Sequence, residues 1–206
     1  MDVLGLQDRI NKGMGVAARR VGRRFALYRP DGSAFPLDPK RRKLDLAAVF
    51  LPGSSSGIVN YGHILWRGIF DASYCRPGDY LVGEFETYFV AIKQLGYPVQ
   101  CVLANRVVSI VRSSPAAQGG YSGFFATPGI VVLHEWPASL LESGGHAEAD
   151  GLAQTRFGGW SLLLPPTDLR PQIADVVNDD LGGVYTVSSA EQSLLGWRLV
   201  VRQINS

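Results

Sequence analysis

The sequence predicts a mainly β protein, built of antiparallel meanders that form a barrel or two packed sheets, with one amphipathic helix at its N-terminus. Three observations carry that prediction. From Phe25 onward the apolar runs are short, rich in β-branched and aromatic residues, and separated by Gly, Pro, Asn and Asp. The connections between many of them are too short to hold crossover helices, so those neighbouring strands have to run antiparallel. A central set of runs, around 60–112, is echoed by a weaker set around 126–204 in similar order, which predicts two related meanders.

The central set contains Tyr80-Leu81-Val82, Tyr88 to Ile92, Val99 to Leu103 and Val107 to Val111, punctuated by Pro77-Gly78-Asp79, Gly96-Tyr97-Pro98 and Ala104-Asn105-Arg106. The second set runs through Asp175-Val176-Val177, Asp179-Asp180-Leu181-Gly182-Gly183, Tyr185-Thr186-Val187 and Trp197 to Val201. Before the central set, Phe25 to Tyr28 reads as a strand followed by a Pro30-Asp31-Gly32-Ser33 turn, and His63 to Phe70 as a strand entering the meander. Ile130 to Leu133 and Trp160 to Leu164 are further strands. Residues 52–57, 113–122 and 141–153 have the composition of loops.

Residues 4–22 read as the helix, because Leu6, Ile10, Met14, Ala17 and Val21 recur at spacings of three and four. Gly13 and Gly15 weaken it by up to about 1 kcal/mol each relative to Ala, so the apolar stripe needs a partner, either the chain's own β domain or another subunit. Beyond the helix, Phe35-Pro36-Leu37-Asp38-Pro39 and Lys40-Arg41-Arg42-Lys43 predict an exposed, extended basic arm.

Composition bounds what the chain does. Its 206 residues, 46% hydrophobic and 18% charged, suit a folded protein with one sizeable core or two small ones. No apolar run approaches the roughly 20 residues that span a bilayer, which predicts a chain that stays in the cytosol where it is made, without a membrane. The net charge of +2 hides an asymmetry: residues 1–43 hold 11 Lys/Arg against 4 Asp/Glu, which leaves 9 against 14 for 44–206. The sequence thus divides into a basic helix and arm, 1–43, and a mildly acidic β region, 44–206.

No chemistry-bearing motif stands out. Cys75 and Cys101 lie in or beside apolar runs and read as buried free thiols; His63, His134 and His146 are scattered without a second metal ligand at suitable spacing. There is no phosphate-binding Gly-rich loop, nucleophile elbow or zinc-binding helix. The expectation is therefore a protein without catalytic residues, cofactor or metal. The enzymatic alternative is cell-wall cleavage by carboxylates drawn from Glu84, Glu86, Asp179 and Asp180. A further alternative is DNA contact through the basic front, with Lys40, Arg41, Arg42 and Lys43 against phosphates.

The segments Gly78-Asp79-Tyr80-Leu81, Tyr88-Phe89-Val90-Ala91 and Cys101 to Ser109, the tail segments Asp179 to Gly182, Tyr185 to Glu191 and Leu195 to Leu199, and the helical Gly13 to Arg19 resemble a family of small tailed-bacteriophage proteins encoded among virion structural genes. The tail more loosely resembles the β-barrel connectors of head-tail joining proteins, in which a Gly-Asp turn precedes a tyrosine strand. Arg170 to Asp175 lacks that Gly-Asp pair. The resemblance implies a non-catalytic virion component at the neck or tail, assembled in the host cytoplasm as a homo-oligomeric ring. Its partners would be portal, adaptor, tail or fibre proteins, and Leu6, Ile10, Met14 and Val21 with Arg19, Arg20, Arg23 and Arg24 would form the assembly face.

Overall fold

The computed structural model describes residues 3–53, 65–112, 129–143 and 159–204. Helix α1 (Val3–Val21) leads into twelve strands: β1 (Arg23–Tyr28), β2 (Arg42–Pro52), β3 (Leu65–Ile69), β4 (Tyr80–Val82), β5 (Thr87–Ile92), β6 (Val99–Ala104), β7 (Arg106–Arg112), β8 (Ile130–Ser143), β9 (Gly159–Leu164), β10 (Val176–Asp179), β11 (Val184–Ser193) and β12 (Gly196–Gln203). They form two closed, wholly antiparallel barrels of six strands. Closure pairs every strand on both sides and leaves no open sheet edge in either barrel.

The barrels are repeats of one plan. Ring order in the first is β1-β2-β3-β6-β5-β4, and in the second β7-β8-β9-β12-β11-β10. Register matches as well as order: Leu27 sits opposite Leu44 and Leu81, and its counterpart Ile110 opposite Leu133 and Val177. Each fifth strand also carries a bulge at the same place, between Val90 and Ile92 and between Val187 and Ser189. A bulge bends and coils a strand, as a barrel this narrow requires.

Alternation along the strands fills the two interiors. Phe25, Leu27, Phe70, Leu81, Tyr88 and Cys101 form the first core, and Val108, Leu133, Leu162, Val177, Leu199 and Val201 are among those in the second. Cys75 and Cys101 are both buried free thiols. Burial first, with the nearby Asp79 charge, pushes Cys75 up to about 12, so it stays protonated and inert.

A buried ion pair recurs in both barrels. The residue after β1, Arg29, donates from Nε and Nη2 to the two carboxylate oxygens of Asp79 at 2.9 and 2.8 Å, and also to the Tyr74 carbonyl. Asp79 further accepts from the Arg76 backbone N–H at 3.0 Å. In the second barrel Arg112 grips Asp175 in the same way at 2.9 and 3.0 Å and also reaches the Arg170 carbonyl, while the Gln172 N–H donates to Asp175 at 2.7 Å. Hydrogen bonding to the aspartate, more than its charge, raises the pKa of each arginine. The residue before each aspartate is left-handed, Gly78 at φ 92° and Ala174 at φ 71°. Ala174-Asp175 is thus the second barrel's version of the Gly78-Asp79 turn, with an alanine where glycine is the easier residue.

Several expectations change. The central stretch is not one meander: β4-β5-β6 is, but β3 pairs with β6, and β7 leaves for the second barrel after the single linking residue Asn105. The front of the chain is not a separate unit either, since β1 closes the first barrel against β2 and β4. Nor is residues 30–41 a free arm. Phe35 N–H donates to the His134 carbonyl and His134 N–H to the Ser33 carbonyl, so this β1–β2 connection lies on the second barrel.

The barrels meet through an aromatic seam. Tyr80, on the outer side of β4, is fully buried and donates its hydroxyl to the Pro137 carbonyl at 2.7 Å, edge-on to Trp136. Trp136 Nε1 donates to the Ser33 carbonyl, and the Asn105 side chain makes paired bonds to the Leu140 backbone.

Replacing Asp79 or Asp175 by Ala strands a guanidinium that is about 70% covered and leaves a turn N–H unpaired. Each is expected to lower stability by roughly 2–3 kcal/mol, discounted from a fully buried pair because the arginines keep some solvent. Urea unfolding checks this. The turns predict opposite signs for one exchange: Gly78→Ala destabilises, because a Cβ would come within 2.8 Å of the Pro166 carbonyl, whereas Ala174→Gly is neutral or stabilising by up to about 1 kcal/mol. Thermal melts of the two variants measure it.

Candidate functional site

The helix is where burial and hydropathy part company. α1 lies against β2, β3 and the short turn at Ala72–Tyr74 of the first barrel. Its docked side is Asn11, Gly15 and Ala18, all buried, with Gln7 and Met14 partly so. Gly15 is needed for this approach, since a Cβ there would sit 2.9 Å from the Asp71 Cβ. Side-chain bonds fix the register: Asn11 Nδ2 donates to Ser73 Oγ at 3.3 Å, Gln7 Nε2 donates to Asn11 Oδ1 at 2.9 Å, and Gln7 Oε1 accepts from the Gly96 N–H at 2.7 Å.

The predicted stripe Leu6, Ile10, Met14, Ala17 and Val21 lies about a quarter-turn round the helix from that side, at roughly 100° per residue. Ile10 and Met14 are partly covered, Ala17 is exposed, and Leu6 and Val21 are 47% and 78% exposed. The chain's own barrel therefore holds the helix by one edge and leaves an apolar flank in solvent.

The basic residues surround this flank without forming one patch. Arg19 and Arg20 are exposed in the last turn, where cations suit the negative end of the helix dipole. Arg23 and Arg24 belong to β1; Arg24 pairs with Asp45 at 3.1 Å and Arg23 approaches Glu86 at 3.9 Å. In the basic run, Arg41 donates to the Ala34 and Phe35 carbonyls and Arg42 to Asp45, while Lys40 and Lys43 are exposed. Hydrogen bonding from Arg42 holds the Asp45 carboxyl below the usual range. Two of the four cations expected to face an anionic partner thus serve the fold.

The carboxylates of the enzymatic alternative are divided between the barrels. Glu86 accepts from the Tyr88 hydroxyl at 2.9 Å in the β4–β5 hairpin, near the exposed Glu84. Asp179 accepts from the Tyr185 hydroxyl at 3.1 Å and from backbone N–H groups of Leu181 and Gly183 in the β10–β11 hairpin, with Asp180 exposed beside it. Arg106 approaches Asp179 at 3.9 Å, as Arg23 approaches Glu86. The arginines and tyrosines hold matching positions in the two repeats, while the carboxylates come from opposite arms of the hairpin, Asp179 matching Gly83 and Glu86 matching Gly183, and each is occupied by its own tyrosine and arginine.

Between the barrels lies an open cleft of about 630 Å³, lined by Arg29, Asp31, Arg76, Asp168, Leu169 and Gln192 among others. Of its lining residues, Arg29 and Asp79 form the first ion pair, and Arg76 approaches the same Asp79 at 3.7 Å. His134 lies elsewhere, with Nδ1 3.3 Å from Ser109 Oγ and its ring edge-on to Phe35. His63 and His146 lie outside the described residues. Among the described residues no group of three or more His, Cys, Asp or Glu is placed to hold a metal ion, and no helix is long and apolar enough to cross a membrane.

Comparison with protein-family models, with curated proteins and with solved structures finds no match. The residues that the sequence reading missed are Asn11, Gly15 and Ala18, the docked side of the helix. The readable signal was small residues at spacings of three and four, 11-15-18, which permit close backbone approach.

Gly15→Val is expected to push α1 off the barrel, with increased amide exchange along the helix and at Ser73 and Gly96. A barrel that kept full protection at those two sites would show that the helix is not held there.

Proposed function

We propose that this protein is a structural component of a tailed-phage virion, at the neck or tail, that works as a ring of identical copies. The observation that carries the reading is α1: a helix anchored by polar bonds and small residues on one side, with Leu6, Ala17 and Val21 left in solvent on another. A helix fixed in place while presenting apolar surface suits assembly onto a neighbour, because no ordering cost remains to be met at binding. The likeness of Gly78 to Leu81, Tyr88 to Ala91 and the tail segments to small virion proteins supplies the setting. Portal, adaptor, tail or fibre proteins are the neighbours this setting provides.

The division of Glu86 and Asp179 between two barrels favours this reading over cell-wall cleavage, because paired catalytic carboxylates have to flank one bond. The internal use of Arg41 and Arg42 likewise favours it over DNA binding by the basic run. Immunogold labelling of purified particles with an antibody to this chain is expected to mark the neck or tail. Particles free of the chain by mass spectrometry would overturn the proposal, as would peptidoglycan turnover lost on Glu86→Gln or Asp179→Asn.

A further inference from the structure

Four cations of α1 serve no contact within the fold. At roughly 100° per residue, Arg9 and Arg20 project opposite the docked Asn11 and Ala18, and Lys12 and Arg19 lie up to a quarter-turn from them on one side. All four are exposed, and among the described residues none of them makes an ion pair. The one acid of the described helix, Asp8, lies further round, towards the docked Gly15. Past Gly22 the charge continues with Arg23 and Arg24, whose carboxylate partners leave them 76% and 83% exposed.

Arg9 and Arg20 stand about 16 Å apart along the helix axis, at about 1.5 Å per residue. Between them on the outward side are Gly13 and Val16. A Cβ at Gly13 would meet nothing within 4 Å, so packing within the chain does not require this glycine as it requires Gly15. Glycine weakens a helix interior, and what it provides here is bare backbone between the cations, open to close approach from outside.

We infer that this cationic side of α1 binds the phosphate backbone of a nucleic-acid duplex. A helix held rigidly by its other side presents its charges in a fixed row, and a duplex offers a dense, regular counterpart of one phosphate per roughly 1.7 Å of axis. An acidic protein is the poorer match, because the aromatic and large apolar groups that anchor protein interfaces are represented on this side by Val16 alone. An anionic bilayer calls for large apolar side chains at the centre of the outward face, where Arg9 and Arg20 stand. Gln7 and Asn11 are engaged in docking, so no amide remains on this side to read bases, and binding is independent of sequence. The surface is separate from the Lys40 to Lys43 run, two of whose cations serve the fold, and the inference does not rest on the ring reading.

Fluorescence anisotropy of a labelled mixed-sequence duplex of about 20 base pairs, titrated with the natural chain from about 50 to about 200 mM salt, tests it. Binding is expected at the low end, with log affinity falling against log salt at a slope of about −4, from roughly 0.9 per phosphate neutralised. Arg9→Gln with Arg20→Gln is expected to bring the slope to about −2 and to weaken binding in low salt at least about tenfold, with an unchanged melting temperature. Arg9→Lys with Arg20→Lys is expected to keep the affinity, since a phosphate contact needs the charge and carries no sequence information. A natural chain that does not bind the duplex at low salt would overturn the inference, as would a Gln double variant that binds like the natural chain. The same loss in Lys40→Gln with Lys43→Gln would move the contact off α1 and overturn the assignment of this face. Displacement of the duplex by poly-L-glutamate or by phosphatidylserine vesicles at equal charge concentration would also overturn it, in favour of an acidic protein or an anionic bilayer respectively.

Discussion

The bidentate arginine–aspartate pair at the entrance to the fourth strand of each barrel is the interaction on which the rest depends. Ring closure in the first barrel runs through β4, a strand of three residues, joined to β1 only by Ala26–Val82, Leu27–Leu81 and Tyr28–Tyr80. So short a seam gains little from its ladder. Arg29 and Asp79 tie its end together with charge-assisted bonds in a site where the carboxylate is 1% exposed. The same carboxylate holds the preceding turn through the Arg76 N–H, and Asp79 O accepts from Val90 N, which sets β5. The second barrel repeats each bond, down to Val187 N donating to Asp175 O. With β4 fixed, Tyr80 points outward at the height where Pro137 and Trp136 receive it, so the ion pair also positions the contact between barrels.

Two copies of one plan have diverged where their surroundings differ. In the first barrel the turn residue Gly78 faces the Pro166 carbonyl of the second barrel, and no side chain fits; in the second the same position is solvent-exposed, and Ala174 is accommodated at the cost of a left-handed backbone. The outward row across each barrel's strands shows the same logic. Where it meets another barrel it holds Tyr80, Phe89 and Val102, and where it does not it holds Val176, Thr186 and Arg202. Aromatic area is concentrated where burial repays it.

Much of this was legible in the sequence. Short β-rich runs with turn punctuation gave the strands, and the similar order of the two sets pointed to repetition. The partition of strands was hidden, because β6 and β7 are separated by Asn105 alone, and a tight connection reads the same whether it makes a hairpin or passes between barrels. The second ion-pair turn was hidden because its glycine is an alanine. The helix exposed a limit of hydropathy: its apolar stripe was readable, but it docks through Asn11, Gly15 and Ala18, where close approach and hydrogen bonds decide the side and hydrophobicity does not. The basic run Lys40 to Lys43 looked free because sequence cannot show Arg41 folding back on its own loop.

Charge gives the orientation of any association between copies a preference of its own. Arg9 and Arg20 lie beside the apolar flank of α1, with Lys12 and Arg19 exposed further round the helix, in a front segment with 11 cations and 4 acids, while residues 44–206 carry 9 cations and 14 acids. Pairing two helices face to face across a two-fold axis would bring these cations together as the contact excludes water, and like charges juxtaposed in an interface cost several kcal/mol. Seating the helix against residues 44–206 of a next copy would instead place them against the more acidic part of the chain. Both arrangements would bury the same leucine and valine surface on α1, so hydrophobic burial does not choose between them. Electrostatics does, and it favours the unlike pairing of surfaces that can repeat from copy to copy.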